Sequence, residues 1–171
     1  MDFFEVVNNR YSYRGEFLKE YIPKDSIRKI LSAGIKAPTG YNLQSTSFIA
    51  VTDPGIIGEI AKAIPSPATE TAPLIIVAIS QNIVKEGLCF EVEDYSIACG
   101  YMLLAITALG YASVFMDGNI KMGAGEVLRK VLNVPEKYTV RAIMPIGVPK
   151  DPGIQAERMD FDERVTWDIF K

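Results

Sequence analysis

Residues 91–109 hold the longest helical stretch of the chain, and its centre, SIACGYMLLAITAL (96–109), is apolar almost all the way round. A helix without a polar face has no side to give to water and must be covered everywhere. The chain has 171 residues, 49% of them apolar, which is enough for one cored domain. A domain of that size rarely surrounds a central helix unaided. Ser96, Ala98, Cys99, Gly100, Ala105 and Ala108 are small and let another backbone come close. A twofold-related copy of the same helix is therefore the economical cover, with burial inside one monomer as the alternative. The stretch 97–109 is too short, and too broken by small residues, for the roughly 18 to 20 apolar residues a bilayer requires, so no membrane span is expected.

The flanking sequence predicts a single α+β domain over 1–171. Phe3, Phe4, Val6 and Val7 make a short amphipathic first helix ended by Asn8 and Asn9. A second begins near Pro23 with Ile27, Ile30, Leu31 and Ile35 on one face and stops at Ala37 and Pro38. TSFIAVT (46–52) and LIIVAIS (74–80) read as strands, the second apolar on both faces and so central, with a short helix near 58–64 between them. A strand over 111–115, a turn at Asp117, Gly118 and Asn119, a helix around Val127, Leu128, Val131 and Leu132, and a last strand over 140–148 complete the order. Residues 150–171 are a charged tail ending in WDIFK, whose Trp167, Ile169 and Phe170 have no place in their own core. That tail either frays or packs on a partner subunit.

Composition removes several function classes. The chain has no histidine, so Ser/His/Asp and Cys/His nucleophilic arrangements are absent. Its two cysteines, Cys89 and Cys99, form no CxxC and offer neither a disulfide framework nor a metal site. A net charge of −3 without a Lys/Arg block argues against nucleic acid as partner. The acidic start MDFFEVVNNR is unlike a secretory signal, and a reducing cytoplasmic setting is expected. Neither GxxxxGK[ST] nor GxGxxG occurs, so a phosphate would be held by side chains.

The side chains suited to that task are in RYSYR. In an extended segment Arg10, Ser12 and Arg14 point the same way, two guanidinium forks and a hydroxyl that match phosphate oxygens. Two solvated surface arginines would look the same in sequence. Thirty residues on, PTGYNLQS (38–45) is a polar, turn-forming loop that also reads simply as a helix stop. Asp94 sits where it would cap the central helix.

RYSYR, APTGYNLQSTSFIAV, DYSIACGYMLLAITALGY and NVPEKYTVRAIMPIGVP, in that order and spacing, resemble the flavin-dependent nitroreductase family over roughly residues 3–167. The resemblance implies an α+β fold, a mixed sheet flanked by helices, and a homodimer with the central helix in its interface and FMN bound between the chains. By the same resemblance Arg10, Tyr11, Ser12 and Arg14 hold the phosphate, ribityl and pyrimidine side of FMN, and Arg158 of the tail completes the phosphate site. Pro38, Thr39, Asn42 and Gln44 of the other subunit line the ring, Met116, Asp117 and Gly118 approach N5, and Tyr41 borders the substrate pocket. Positive charge near flavin N1 and O2 stabilises the reduced ring, which would let Arg14 tune as well as bind. The implied activity is hydride transfer from NAD(P)H through flavin N5 to a nitroaromatic, quinone or similar small electrophile by a ping-pong route, with no catalytic side chain. The alternatives are a flavin-binding or redox-sensing protein without turnover, and a helical interaction module with no cofactor. Two departures stand out. Ser45 and Thr46 replace the proline and tryptophan of many relatives, and the segments around the pocket are short.

Overall fold

Alternation in one strand divides the molecule into layers. A computed structural model describes residues 1–170. In strand β2 (Leu74–Gln81), Leu74, Ile76 and Ala78 turn to one face of the sheet, while Ile75, Val77 and Ile79 turn to the other. On the first face lie helix α2 (Lys24–Ile35), with Ile27 and Ile30, and the central helix α5 (Glu91–Ala108), with Cys99, Met102 and Ile106. On the second lie α3 (Pro54–Ala63), α4 (Pro67–Thr71) and α6 (Gly125–Val131), which contribute Ile57, Ile60, Ala68 and Leu128. Each such fully buried aliphatic side chain stabilises the fold by about 1.5 to 3 kcal/mol, which is why a strand apolar on both faces becomes the centre of a three-layer structure.

The sheet order is β1-β2-β4-β3, with β1 Thr46–Val51, β3 Ala112–Ser113 and β4 Tyr138–Gly147. Every pairing among these strands is antiparallel, and the parallel element is an isolated bridge between Ser12 and Ser113. The expected strand over 111–115 shrinks to two residues. Val114 and Phe115 leave the ladder before Met116 returns to exchange backbone hydrogen bonds with Ile143, at 3.0 and 2.9 Å. The helix expected near 58–64 starts earlier, at Pro54, where Asp53 caps it by accepting from the Ile56 N–H at 3.0 Å. Helix α4 was not anticipated. Ser66 caps it, and the buried Thr69 hydroxyl donates to the Ile64 carbonyl at 2.7 Å.

Helix α1 (Phe3–Asn9) opens with a reciprocal cap between Asp2 and Glu5 and lies against α5. Together they leave much apolar surface bare. On α5 the residues Val92, Ser96, Ile97, Gly100, Tyr101 and Ala108 are exposed, and Phe4 of α1 is 74% exposed. An apolar cleft of about 490 Å³ opens there, lined by Phe3, Val6, Ala33, Tyr101, Leu104 and Ala108. The chain thus covers only one side of its most apolar helix. Among the described residues, no helix is long and apolar enough to cross a membrane. The tail carries one short helix, α7 (Phe161–Arg164), and is exposed throughout 156–170.

Candidate functional site

RYSYR is extended because α1 ends at Arg10, whose backbone N–H closes the helix on the Val6 carbonyl at 3.0 Å while its φ and ψ are −67° and 125°. The segment then docks on β3, the Tyr13 N–H donating to the Ser113 carbonyl at 2.9 Å. Alternation follows as the spacing demands. Tyr13 is buried against Phe17, with ring centroids 5.1 Å apart, whereas Ser12 and Arg14 are exposed and Arg10 is half-buried. Among the described residues neither Arg10 nor Arg14 pairs with a carboxylate.

The tail is laced across this segment. The Lys150 N–H donates to the Glu16 carbonyl at 2.9 Å, and its ammonium meets the Glu16 carboxylate at 2.6 Å. That hydrogen bond and charge hold the Glu16 carboxyl below its usual range and the Lys150 ammonium above. Gly153 lies on the Tyr11 ring so closely that a Cβ would enter the ring. Gln155 Nε2 donates to the Arg10 carbonyl at 2.8 Å and to that of Val7 at 3.2 Å. Arg158 follows three residues later, at most about 11 Å of chain beyond that anchor, and is exposed. Gly153 and Gln155 carried no signal in the sequence, because a glycine and a glutamine in a charged tail are unremarkable.

The loop over 38–45 is built at the other end of the molecule. A 3-10 turn over Gly40–Asn42 follows Thr39, and three non-glycine residues take left-handed backbone, with φ of 51° at Tyr41, 54° at Asn42 and 49° at Gln44. Each such residue costs of order 1 kcal/mol and persists only where its surroundings hold it. Asp94 does much of the holding. It is 2% exposed and lies inside the first turn of α5, where Oδ1 accepts from the Gly40 N–H at 2.8 Å and Oδ2 from the Ser45 hydroxyl at 2.7 Å. The expected cap is therefore not made: Phe90 occupies that position without a side-chain bond, and the Asp94 carboxylate serves the loop instead. The helical period accounts for its burial alone, since Asp94 shares one face with the buried Ala98, Met102 and Ile106. Ser45, the departure from the usual proline, is what makes the second bond possible.

Pro38, Tyr41, Asn42 and Gln44 point to the surface, while Thr39 and Gly40 are half-buried. Tyr41 is 46% exposed, and its hydroxyl donates to Glu86 at 3.0 Å beneath the Lys85 ammonium. Between the two regions lie Met116, paired with Ile143, Asp117, whose carboxylate holds Lys121 at 2.6 Å, and the exposed Gly118. The Asp117 hydrogen bond and charge raise the Lys121 ammonium above its usual value.

Sheet register measures how far apart the regions are. Thr46, next to the loop, reaches Thr139 of β4 through Ser80, whereas Ser12 reaches Ile146 through Ser113. Those positions on β4 span six residues of β2 and are roughly 20 Å apart along the strand, with three strand spacings between the edges. Within one chain RYSYR and the loop cannot meet at one reacting centre. Arg10, Ser12, Arg14, the tail and Met116–Gly118 occupy the β3 side, and Pro38, Thr39, Asn42 and Gln44 the β1 side.

The half-buried Arg141 forms a polar trio with the buried Ser80 and Glu91 that left no signal in the sequence. Arg141 is the extra residue of a β-bulge in β4, skipped where Ala78 pairs with Ala142 and Ile79 with Val140. Its Nε donates to the Ser80 hydroxyl at 2.9 Å, and its terminal nitrogen bonds the Glu91 carboxylate. Ser80 donates to Glu91 at 3.0 Å, which ties the sheet to the start of α5. Burial pushes the Cys99 thiol up to about 12, so it is an inert core group rather than a nucleophile.

The nitroreductase family profile matches residues 7–73 and 59–148, so the match spans both arginines, the loop, the central helix and the whole of the last strand. A protein of Archaeoglobus fulgidus, whose name pairs NADH dehydrogenase with NAD(P)H nitroreductase, is 30% identical over 132 residues, covering 76% of each chain. A similarly named protein of Methanothermobacter thermautotrophicus is 28% identical over 155 residues, covering 90% of this chain and 81% of that one. The solved structure of an FMN-dependent nitroreductase from Clostridium difficile R20291 superposes with a TM-score of 0.84 at 27% identity, covering 98% of this chain and 99% of the other. The order of helices around this sheet, and a family match running from the end of the first helix through the last strand, lead to one conclusion: the chain belongs to the nitroreductase family of oxidoreductases.

Proposed function

We propose that the protein is an NAD(P)H-dependent FMN oxidoreductase that works as a homodimer, with each flavin held between RYSYR of one chain and the 38–45 loop of the other. The observation that carries this reading is a pair of guanidiniums without carboxylate partners among the described residues, flanking Ser12 on one side of an extended segment fixed to β3. That donor set fits a phosphate and its ribityl chain, because each arginine offers a planar fork and the serine a hydroxyl. The half-buried Arg10 suits the phosphate, and the exposed Arg14 suits the pyrimidine side of the ring, where cationic charge favours the reduced form. Arg158, brought near by Gln155, adds a third cation.

Bound FMN would supply hydride transfer at N5 between NADH or NADPH and a nitroaromatic, quinone or similar small electrophile, with ping-pong kinetics expected. The chain's own residues bind and orient. Pro38, Thr39, Asn42 and Gln44 line the ring edge from the second chain, Met116, Asp117 and Gly118 lie on the N5 side, and Tyr41 borders the acceptor. No histidine or nucleophile is needed, in keeping with the composition. A flavin-binding protein without turnover would need its ring face sealed, which the stopped-flow test below distinguishes. The exposed faces of α5 and α1 are the surfaces on which the second chain is expected.

The test is stopped-flow mixing of the FMN-reconstituted protein with NADH and NADPH. Loss of flavin absorbance on a catalytic timescale, reversed by menadione or a nitroaromatic, is expected. Flavin that stays oxidised would replace the enzyme with a binding or sensing protein.

A further inference from the structure

We infer that Asp94 is the positioning residue of the flavin site, a staple that sets the spacing of the 39–44 loop through both of its ends at once. This rests on the proposed FMN site, in which that loop faces the ring. Gly40 opens the loop and Ser45 closes it, and the two oxygens of one carboxylate accept from one each, at 2.8 and 2.7 Å. Between them stand the three left-handed residues Tyr41, Asn42 and Gln44. Their backbone is otherwise held by the Asn42 N–H on the Thr39 carbonyl, the Leu43 N–H on the Gly40 carbonyl and the Gln44 N–H on the Thr39 hydroxyl, at 3.0, 3.0 and 3.2 Å. Those three bonds are internal to the loop and fix its shape, while the Gln81 N–H on the Ser45 carbonyl, at 2.9 Å, ties its last residue to β2. The staple is what refers the loop to α5, and α5 is the helix whose uncovered face meets the second chain.

Other features strengthen this. Asp94 is 2% exposed and pairs with no cation among the described residues, so its charge is balanced by the two donors and by the N-terminal end of α5. Gly40 leaves no slack, because the Phe90 ring fills the space a Cβ would take. A displaced loop would move Asn42 away from the flavin while leaving the sheet and its two cores intact. Asparagine at position 94 can keep both contacts: its Oδ1 accepts from the Gly40 N–H and its Nδ2 donates to the Ser45 oxygen, since a hydroxyl can reverse its role.

The experiment measures FMN dissociation constants by flavin fluorescence, with thermal midpoints, for the parent protein and five variants. These are Asp94→Ala, Asp94→Asn, Ser45→Ala, Arg10→Ala and Thr69→Val, the last loosening α4 on the opposite face of the sheet. The expected result is an increase of about tenfold or more in Kd for Asp94→Ala, a return to within about threefold of the parent for Asp94→Asn, and about threefold for Ser45→Ala. Thr69→Val should lower the midpoint and leave Kd unchanged. A Kd within twofold of the parent in Asp94→Ala overturns the inference, as does a Thr69→Val effect as large as that of Asp94→Ala. If Asp94→Ala does not fold, an unchanged Kd in Ser45→Ala overturns it. Weakening by Arg10→Ala but not by the staple variants removes only the staple. Equal binding by Arg10→Ala and the parent removes Arg10 from the site and leaves the staple to be judged by the Asp94 variants, whereas binding by neither removes the flavin site and the staple with it.

Discussion

Among the described residues, Lys62, Lys121, Arg129, Arg141 and Lys150 each hold a carboxylate, whereas Arg10 and Arg14, like most of the other lysines and arginines, do not. Most of those pairs lie on the surface and contribute little to stability. The contrast matters for function, because an arginine fixed to a strand and left without an acid is prepared for an anion from outside. Spacing alone could not separate that from solvated charge, since alternation is equally compatible with both. What supports the anion site is the backbone: Tyr13 locks to Ser113, and Gln155 locks the tail to Arg10. Arg10→Ala is expected to weaken FMN binding by roughly 1.5 to 3 kcal/mol, the range for a hydrogen bond to a charged group, when followed by flavin titration. An unchanged affinity would remove Arg10 from the site.

Elements were legible where a period governs them and obscure where a single contact does. Strand β2 declared itself central through its two apolar faces, and α5 through its lack of a polar one. Helix α4 and the bulge at Arg141 left no periodic trace: one rests on the Ser66 and Thr69 hydroxyls, the other on an extra residue whose partner lies 50 positions away. The bulge couples β4 to the first turn of α5, so its loss should be felt across the sheet. Arg141→Met strands the Glu91 carboxylate in a site where its side chain is 9% exposed, and should cost about 3 kcal/mol in urea unfolding. Adding Glu91→Gln should recover part of that loss. Equal instability of the single and double variants would show that packing, not the stranded charge, is responsible. Asp94 falls between these cases, since its place on the buried face was readable but its partners in the loop were not.

At the scale of the molecule, the half of α5 left bare and the separation of RYSYR from the loop across the sheet describe one requirement. In the proposed dimer a second chain covers the helix and brings the missing half-site. Gly100 offers a clean probe, because it is exposed and a Cβ there meets nothing within 4 Å in its own chain. Gly100→Leu should therefore preserve the circular dichroism of the fold while shifting the protein to a monomer in sedimentation and abolishing FMN binding. A dimeric Gly100→Leu protein would move the interface elsewhere. The most direct test of the whole account is subunit mixing between Arg10→Ala and Asn42→Ala at limiting FMN. Each variant alone damages both sites of its dimer, whereas a mixed dimer carries both lesions in one site and leaves the other intact. Random exchange should restore about a quarter of the parent NADH-dependent turnover. Activity no higher than that of either variant alone would contradict a site shared between two chains.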